Sequence, residues 1–140
     1  MTKKQISKKE KQLIIERISS QLNKRKQIIF AYIFGTFAQD EKFADIDIGV
    51  FVREENSIKS LNFEFNLEEE IKTFTHLLPD VRIINQAPIS FLYQVIKKGI
   101  LIIDKDTARR ADFEGMIFKK YLDFAFYRKQ YLKEVINAPI

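Results

Sequence analysis

Residues 31–52 read AYIFGTFAQDEKFADIDIGVFV, and the two apolar segments in this stretch decide the fold. The first begins upstream at Gln27 and closes at Phe34 in the run IIFAYIF. Its length and its β-branched and aromatic content favour a buried strand, and Gly35 ends it. The second, DIDIGVFV from Asp45 to Val52, alternates polar and apolar at its start. Strand side chains alternate faces, so Asp45 and Asp47 leave one face while Ile46 and Ile48 enter the core on the other. Two neighbouring carboxylates repel unless a cation lies between them. Mg²⁺, held by one or two carboxylates together with substrate phosphates, is the usual solution. Gly35-Thr36 stands at the end of the first strand. Glycine lets the backbone approach a phosphate closely, and threonine adds a hydroxyl. A helical turn beginning there would aim free N–H groups at the same anion.

Upstream, Ser7 to Lys24 reads as a helix. Ile14, Ile18 and Leu22 recur every four residues, flanked by Lys11 and Ile15, and Ser7 with Glu10 matches a capping box. Downstream, residues 60–76 are expected to be helical, with Glu68, Glu69 and Glu70 on a wet face. Asp80 to Ile84 is expected to be a third strand, entered through Pro79. Pro88 to Lys98 reads as a helix stopped by Gly99, with Lys97 and Lys98 in its last turn, where cations suit the helix dipole. Ile100 to Ile103 reads as a fourth strand. Residues 107–136 read as a helical region with a break near Gly115. The order α-β-(α)-β-α-β-α-β-α predicts an α/β or α+β domain, a small sheet covered by helices. Strand directions stay open.

Composition narrows the chemistry. The chain has 140 residues, with four Gly, three Pro and no linker-like tract, which predicts one domain over 1–140. Thirteen Phe and five Tyr supply bulk for its core. The absence of Cys excludes a disulfide scaffold, a Cys-ligated zinc site and thiol catalysis. With His76 the one histidine, a multi-His metal site is excluded too. Carboxylates, hydroxyls and basic side chains remain. No apolar run approaches a membrane span, and the basic start leads into an amphipathic pattern, so a cytoplasmic protein is expected. The net charge of +5 is uneven. Residues 1–26 hold nine Lys/Arg and two Glu, or +7, leaving fifteen Lys/Arg against seventeen Asp/Glu, or −2, for the rest. A basic N-terminal helix can touch a polyanion. No aromatic side chains interleave with its lysines to stack bases, so nucleic acid is not the expected partner.

Asp80 adds a third carboxylate at the start of its strand. If that strand lies beside the Asp45–Asp47 strand, three carboxylates converge at one sheet end. Such a set can hold two metals about 3.5–4 Å apart for in-line phosphoryl or nucleotidyl transfer. Arg82 alternates with Val81 and Ile83, and it either meets phosphate or makes a surface ion pair. His76 reads as a helix-end residue rather than a general base, and Lys97 and Lys98 as helix-end cations. In the C-terminal helical region Phe113, Met116, Ile117, Tyr121, Phe124, Tyr127 and Tyr131 form one broad face. Phe118, Leu122, Ala125 and Phe126 spread beyond it. A helix apolar over so much of its circumference is expected to be buried on more than one side, the second cover being either its own domain or another chain, which makes 107–136 a candidate interface of a homo- or hetero-oligomer.

On these residues the chain resembles the DNA polymerase β-like nucleotidyltransferase superfamily. Its signature is an apolar strand, Gly-Ser, a short loop, then Asp-apolar-Asp on a strand. With its small size and the stretch DVRIINQAPISFLYQVIKKGILIIDKD at 80–106, it resembles the minimal nucleotidyltransferases, or MNT proteins. Asp80, Asn85, Ala87, Pro88 and Gly99 follow that family's order, and the likeness covers roughly residues 27–105. The resemblance implies a small mixed sheet covered by helices, Mg²⁺ in a two-metal site and ATP as substrate. It implies that Asp45, Asp47 and Asp80 bind metal and are catalytic, Asp80 also helping to activate the incoming hydroxyl. Gly35 and Thr36 would hold the triphosphate. Many members are antitoxins to a helical HEPN-type toxin, an RNase, and some transfer AMP from ATP to a tyrosine hydroxyl of that toxin, which implies such a partner. The chain departs from the pattern in the loop. Thr36 replaces the usual Ser, the eight residues from Phe37 to Ala44 make a shorter loop, Gln39 and Asp40 replace a basic residue and Gly, and Ala44 replaces a Ser. A triphosphate site without that basic residue is electrostatically poorer. The alternative is therefore a module of the same fold that neutralises a toxin by docking.

Overall fold

In the computed structural model, residues 4–5, 7–39, 42–43, 45–53 and 59–137 are described. The elements are β1 (Lys4–Gln5), α1 (Lys8–Asn23), β2 (Ile28–Phe34), α2 (Thr36–Gln39), β3 (Lys42–Phe43), β4 (Asp45–Val52), α3 (Ser60–Thr75), β5 (Leu78–Ile83), α4 (Ile89–Lys98), β6 (Ile100–Asp104) and α5 (Thr107–Asn137). Among the described residues the main sheet has four strands in the order β5-β4-β2-β6. It is mixed: β2 runs antiparallel to β4 and β6, and β5 runs parallel to β4. The fold class is the α/β arrangement that the element order implies.

Strand alternation sorts the side chains onto two faces. Ile46, Ile48, Val50 and Val52 of β4 pack with Ile18 and Leu22 of α1 and with Phe63, Leu67 and Ile71 of α3. On the other face Phe30, Tyr32 and Phe51 pack with Leu92 and Val95 of α4 and with Phe113 and Ile117 of α5. Phe30 stacks on Phe51 at 4.4 Å between ring centroids, and Phe113 closes on the pair at 5.5 and 4.9 Å. Tyr32 is buried with its O–H donating to Glu114 at 2.8 Å. Burial, then the bond to Glu114, pushes the phenol well above its ordinary range. Arg110 bridges Glu114 and Asp104 at 2.6 and 2.9 Å, fastening α5 to the end of β6.

Several expectations are corrected. The helix expected from Ser7 is present as α1 from Lys8, with Ser7 Oγ accepting from Glu10 N–H at 3.2 Å, whereas Lys4–Gln5 of the basic segment 1–26 form a strand, β1, paired with β3. α5 runs unbroken through Gly115, which has open space around it and nothing to force a kink. The Glu run on α3 is not a wet face. Glu68 accepts from Val81 N–H at 2.8 Å, Glu64 one turn earlier accepts from Ile83 N–H at 2.9 Å, and Glu70 binds Arg25 and Gln21. Only Glu69 of that run is exposed. β5 is an edge strand, and these carboxylates occupy N–H groups that would otherwise offer a pairing edge. β5 also starts at Leu78, so Asp80 is its third residue rather than its first. No helix among the described residues is long and apolar enough to cross a membrane.

Candidate active site

β2 ends where Gly35 turns the chain at φ 75, in the left-handed region. A Cβ there would collide with Asp47 Oδ2 and lie 3.2 Å from its Cγ, so the site requires glycine on two counts. The Gly35 carbonyl accepts from Ala38 and Gln39 N–H at 3.1 and 3.3 Å, closing the single turn α2. Phe37 pins that turn into the core, and Thr36 is exposed at its first position. Gln39 donates its side-chain amide to the Lys98 carbonyl, tying the turn to the end of α4. Gly99 allows that end to sit so close, since a Cβ there would collide with the Val95 carbonyl and lie 3.0 Å from that of Ile33. Asp40, Glu41 and Ala44 lie outside the described residues.

The carboxylates meet by register. Asp47 is opposite Phe34 across the antiparallel pair and level with Asp80 across the parallel pair. Level residues on paired strands share a face. Asp47 is therefore central, with Gly35 on one side and Asp80 on the other. Asp45, two residues earlier on the same face, is exposed, while Asp47 is half-buried. Burial first, then the charges of Asp45 and Asp80, pushes the Asp47 carboxyl up to about 6, with Arg82 pulling the other way. Negative charge thus exceeds positive at this sheet end. Arg82 resolves toward an ion pair, its Nη2 donating to Asp80 Oδ2 at 3.3 Å. Its guanidinium also lies over Phe91, 6.0 Å from the centroid, and Phe91 meets Phe34 edge-on at 5.4 Å. The aromatic rim of Phe34 and Phe91 escapes sequence reasoning because both residues read simply as core.

The expected three-carboxylate metal cage is not preassembled. As the side chains stand, no three acidic or histidine side chains among the described residues are gathered closely enough to hold a metal ion. The donor set still suits Mg²⁺, since its members are carboxylate oxygens and one or two of them suffice when phosphates complete the shell. His76 is the left-handed C-cap of α3, with φ 56, and Lys97 lies over Tyr93 on its own helix.

The family model described as polymerase beta, nucleotidyltransferase matches residues 16–108. No curated protein matches the sequence. Among solved structures, the chain is similar to one in a tri-AMPylated Shewanella oneidensis HEPN toxin in complex with MNT antitoxin. That match has a TM-score of 0.68 and 17% identity, covering 90% of this chain and 98% of that one. A chain of the toxin–antitoxin MntA-HepT matches with a TM-score of 0.67 at 17% identity, covering 89% and 98%. A chain of the toxin–antitoxin with AMP-PNP matches with a TM-score of 0.63 at 16% identity, covering 93% and 99%. At these identities the likeness is one of fold.

Proposed function

The chain belongs to the polymerase beta nucleotidyltransferase family, and we propose that it transfers AMP from ATP to a hydroxyl of a partner protein, as the antitoxin to a HEPN-type toxin. The observation that carries this reading is Asp47, level with Asp80 and against Gly35, with Asp45 on the same face. The structures of like fold support the partner and the nucleotide, being described as a HEPN toxin bearing AMP with its MNT antitoxin and as a toxin–antitoxin with AMP-PNP. A cytoplasmic location goes with this reading.

Asp45, Asp47 and Asp80 are the residues that would hold Mg²⁺. The ion, bound with nucleotide, supplies charge neutralisation on the triphosphate and acidifies the attacking hydroxyl. Gly35 holds the triphosphate through its backbone, its missing side chain leaving the room that Asp47 fills, and Thr36 donates its hydroxyl to the same phosphates. Asp80 takes the acceptor's proton as the acceptor oxygen attacks the α-phosphorus and the bond to pyrophosphate breaks. Arg82 offsets charge beside Asp80.

The test is a mass measurement on the co-purified partner with ATP and Mg²⁺. Wild type adds AMP, and Asp45→Ala with Asp47→Ala abolishes the mass shift while the complex persists. A second reading, neutralisation by docking alone, is favoured by Gln39 in the place of a basic residue and by the exposed aromatic length of α5. It prevails if wild type modifies nothing with any nucleotide and the double variant still neutralises the toxin.

A further inference from the structure

The basic start of the chain is laid against the loop assigned to the triphosphate. β1 pairs antiparallel with β3, Lys4 opposite Phe43 and Gln5 opposite Lys42, and β3 lies in the segment between Thr36 and Asp45. A tight turn, in which Ile28 N–H donates to the Arg25 carbonyl at 3.2 Å, folds α1 back over the sheet. The sixteen residues of α1 span about 24 Å at helical rise, and the seven of β2 about 23 Å at strand rise. The first turn of α1 therefore comes level with Gly35 and Thr36. That turn reads KKEK from Lys8 to Lys11. Lys8, Lys9 and Glu10 are exposed, whereas Lys11 is half-buried. Its ammonium sits over the ring of Phe37, 5.2 Å from the centroid, and Phe37 is buried one residue beyond Thr36. A lysine stem lies along apolar surface while its charge stays at the polar margin, and the ring face adds a cation–π attraction.

We propose that Lys11 is a cation of the triphosphate site, delivered from α1 in place of the basic residue that the loop after Gly35 lacks; the inference rests on the nucleotidyl-transfer reading above. Gln39 stands where that basic residue is usual, and its amide is engaged by the Lys98 carbonyl. Lys97 lies over Tyr93 on its own helix. Arg82 pairs with Asp80 on β5, beyond β4 from the Gly35 turn. Asp45, Asp47 and Asp80 make this sheet end negative, so a triphosphate arriving there meets repulsion. Metal ions offset it at the oxygens they touch, and the remaining phosphate oxygens still need a positive partner. An ammonium held beside Thr36 meets that need as a point charge, the role lysine takes at phosphate sites. The same ammonium faces the charge that grows on pyrophosphate as it leaves. The fold thus carries the surplus charge of the N-terminal segment to the one place where the loop motif falls short.

The experiment is calorimetric titration of the full-length chain with α,β-methylene-ATP and Mg²⁺, the methylene bridge preventing transfer. Lys11→Met keeps an apolar stem on Phe37 and removes the charge. It weakens binding by about tenfold or more, the loss expected for one charge-assisted bond. Lys11→Arg recovers affinity to within about threefold of wild type, since a guanidinium also pairs with phosphate. Lys9→Met removes the same charge from the exposed side of α1 and binds as wild type does. Added salt weakens wild type more steeply than Lys11→Met, because the lost interaction is one between charges. Without nucleotide all variants melt with wild type, which separates a binding role from a structural one. Wild-type affinity in Lys11→Met, equal weakening in Lys9→Met, or no recovery in Lys11→Arg overturns the assignment. The reading beneath it is judged separately, by AMP on the co-purified partner. A wild type that binds the triphosphate and modifies its partner, with Lys11→Met indifferent, removes the role of Lys11 alone. A wild type that binds no triphosphate removes both.

Discussion

Asp47 holds its carboxyl at about 6 against an ordinary 3.8, so the folded chain binds that proton more tightly than the unfolded chain does. The group's contribution to stability is therefore full below about 4 and is lost as pH rises through about 6. Without divalent cation, Asp47→Asn should melt near wild type at pH 4 and progressively above it toward pH 7.5. Mg²⁺ with ATP should raise the wild-type melting temperature and leave the variant unmoved. Equal melting curves across that range would remove the electrostatic account. Gly35→Ala tests the other side of the same carboxylate. A methyl in the left-handed region costs about 1–2 kcal/mol, and here it also displaces the Asp47 side chain, so denaturant titration should report that loss, and the mass assay of the proposed transfer should find no AMP on the partner. The Asp-x-Asp pair was legible in the sequence because strand alternation is local. The position of Gly35 against Asp47 was not, since it depends on how two strands are registered.

Among the elements, β5 shows what a helical pattern cannot reveal. Glu64 and Glu68 face an edge strand far along the chain, and a helix read alone treats such charges as solvated. Glu64→Ala with Glu68→Ala should open two N–H groups of the edge to solvent, costing at most about 1.5–3 kcal/mol for each hydrogen bond to a charged group that is lost. Chemical denaturation should register the loss and light scattering the pairing of freed edges. Single Glu→Gln changes should be nearly silent. Phe113→Ala should cost about 3–5 kcal/mol, as truncation of a buried aromatic does, because it removes the ring that closes on Phe30 and Phe51. Element positions were largely legible, as β4 over residues 45–52 illustrates, since period-two and period-four patterns lie within single segments. The parallel pairing of β4 with β5 was not, because that contact is made across α3. Gly115 misled because glycine lowers helix propensity by about 1 kcal/mol, which a helix of 31 residues absorbs.

At the scale of the molecule, α5 outruns the domain it belongs to. Phe113 and Ile117 are buried in it, Tyr121 stacks on Tyr93 of α4 at 3.7 Å, and every residue from Leu122 to Asn137 is exposed. Those sixteen residues extend about 24 Å at helical rise. They carry Phe124, Phe126, Tyr127 and Tyr131 into solvent. Tyr127→Glu with Tyr131→Glu should leave the melting temperature of the isolated protein unchanged and weaken capture of the partner by about tenfold or more, since aromatic anchors dominate such interfaces. Sedimentation with and without the partner checks it. A single helix of that length is marginal in water, so the free protein should present this end to proteases first. Limited digestion should clip it near Leu122 and spare the sheet, and a bound partner should prevent the cut. If the proposed partner binds there, intactness would follow occupancy: unpartnered copies would be shortened, and the full-length pool would track the amount of partner present.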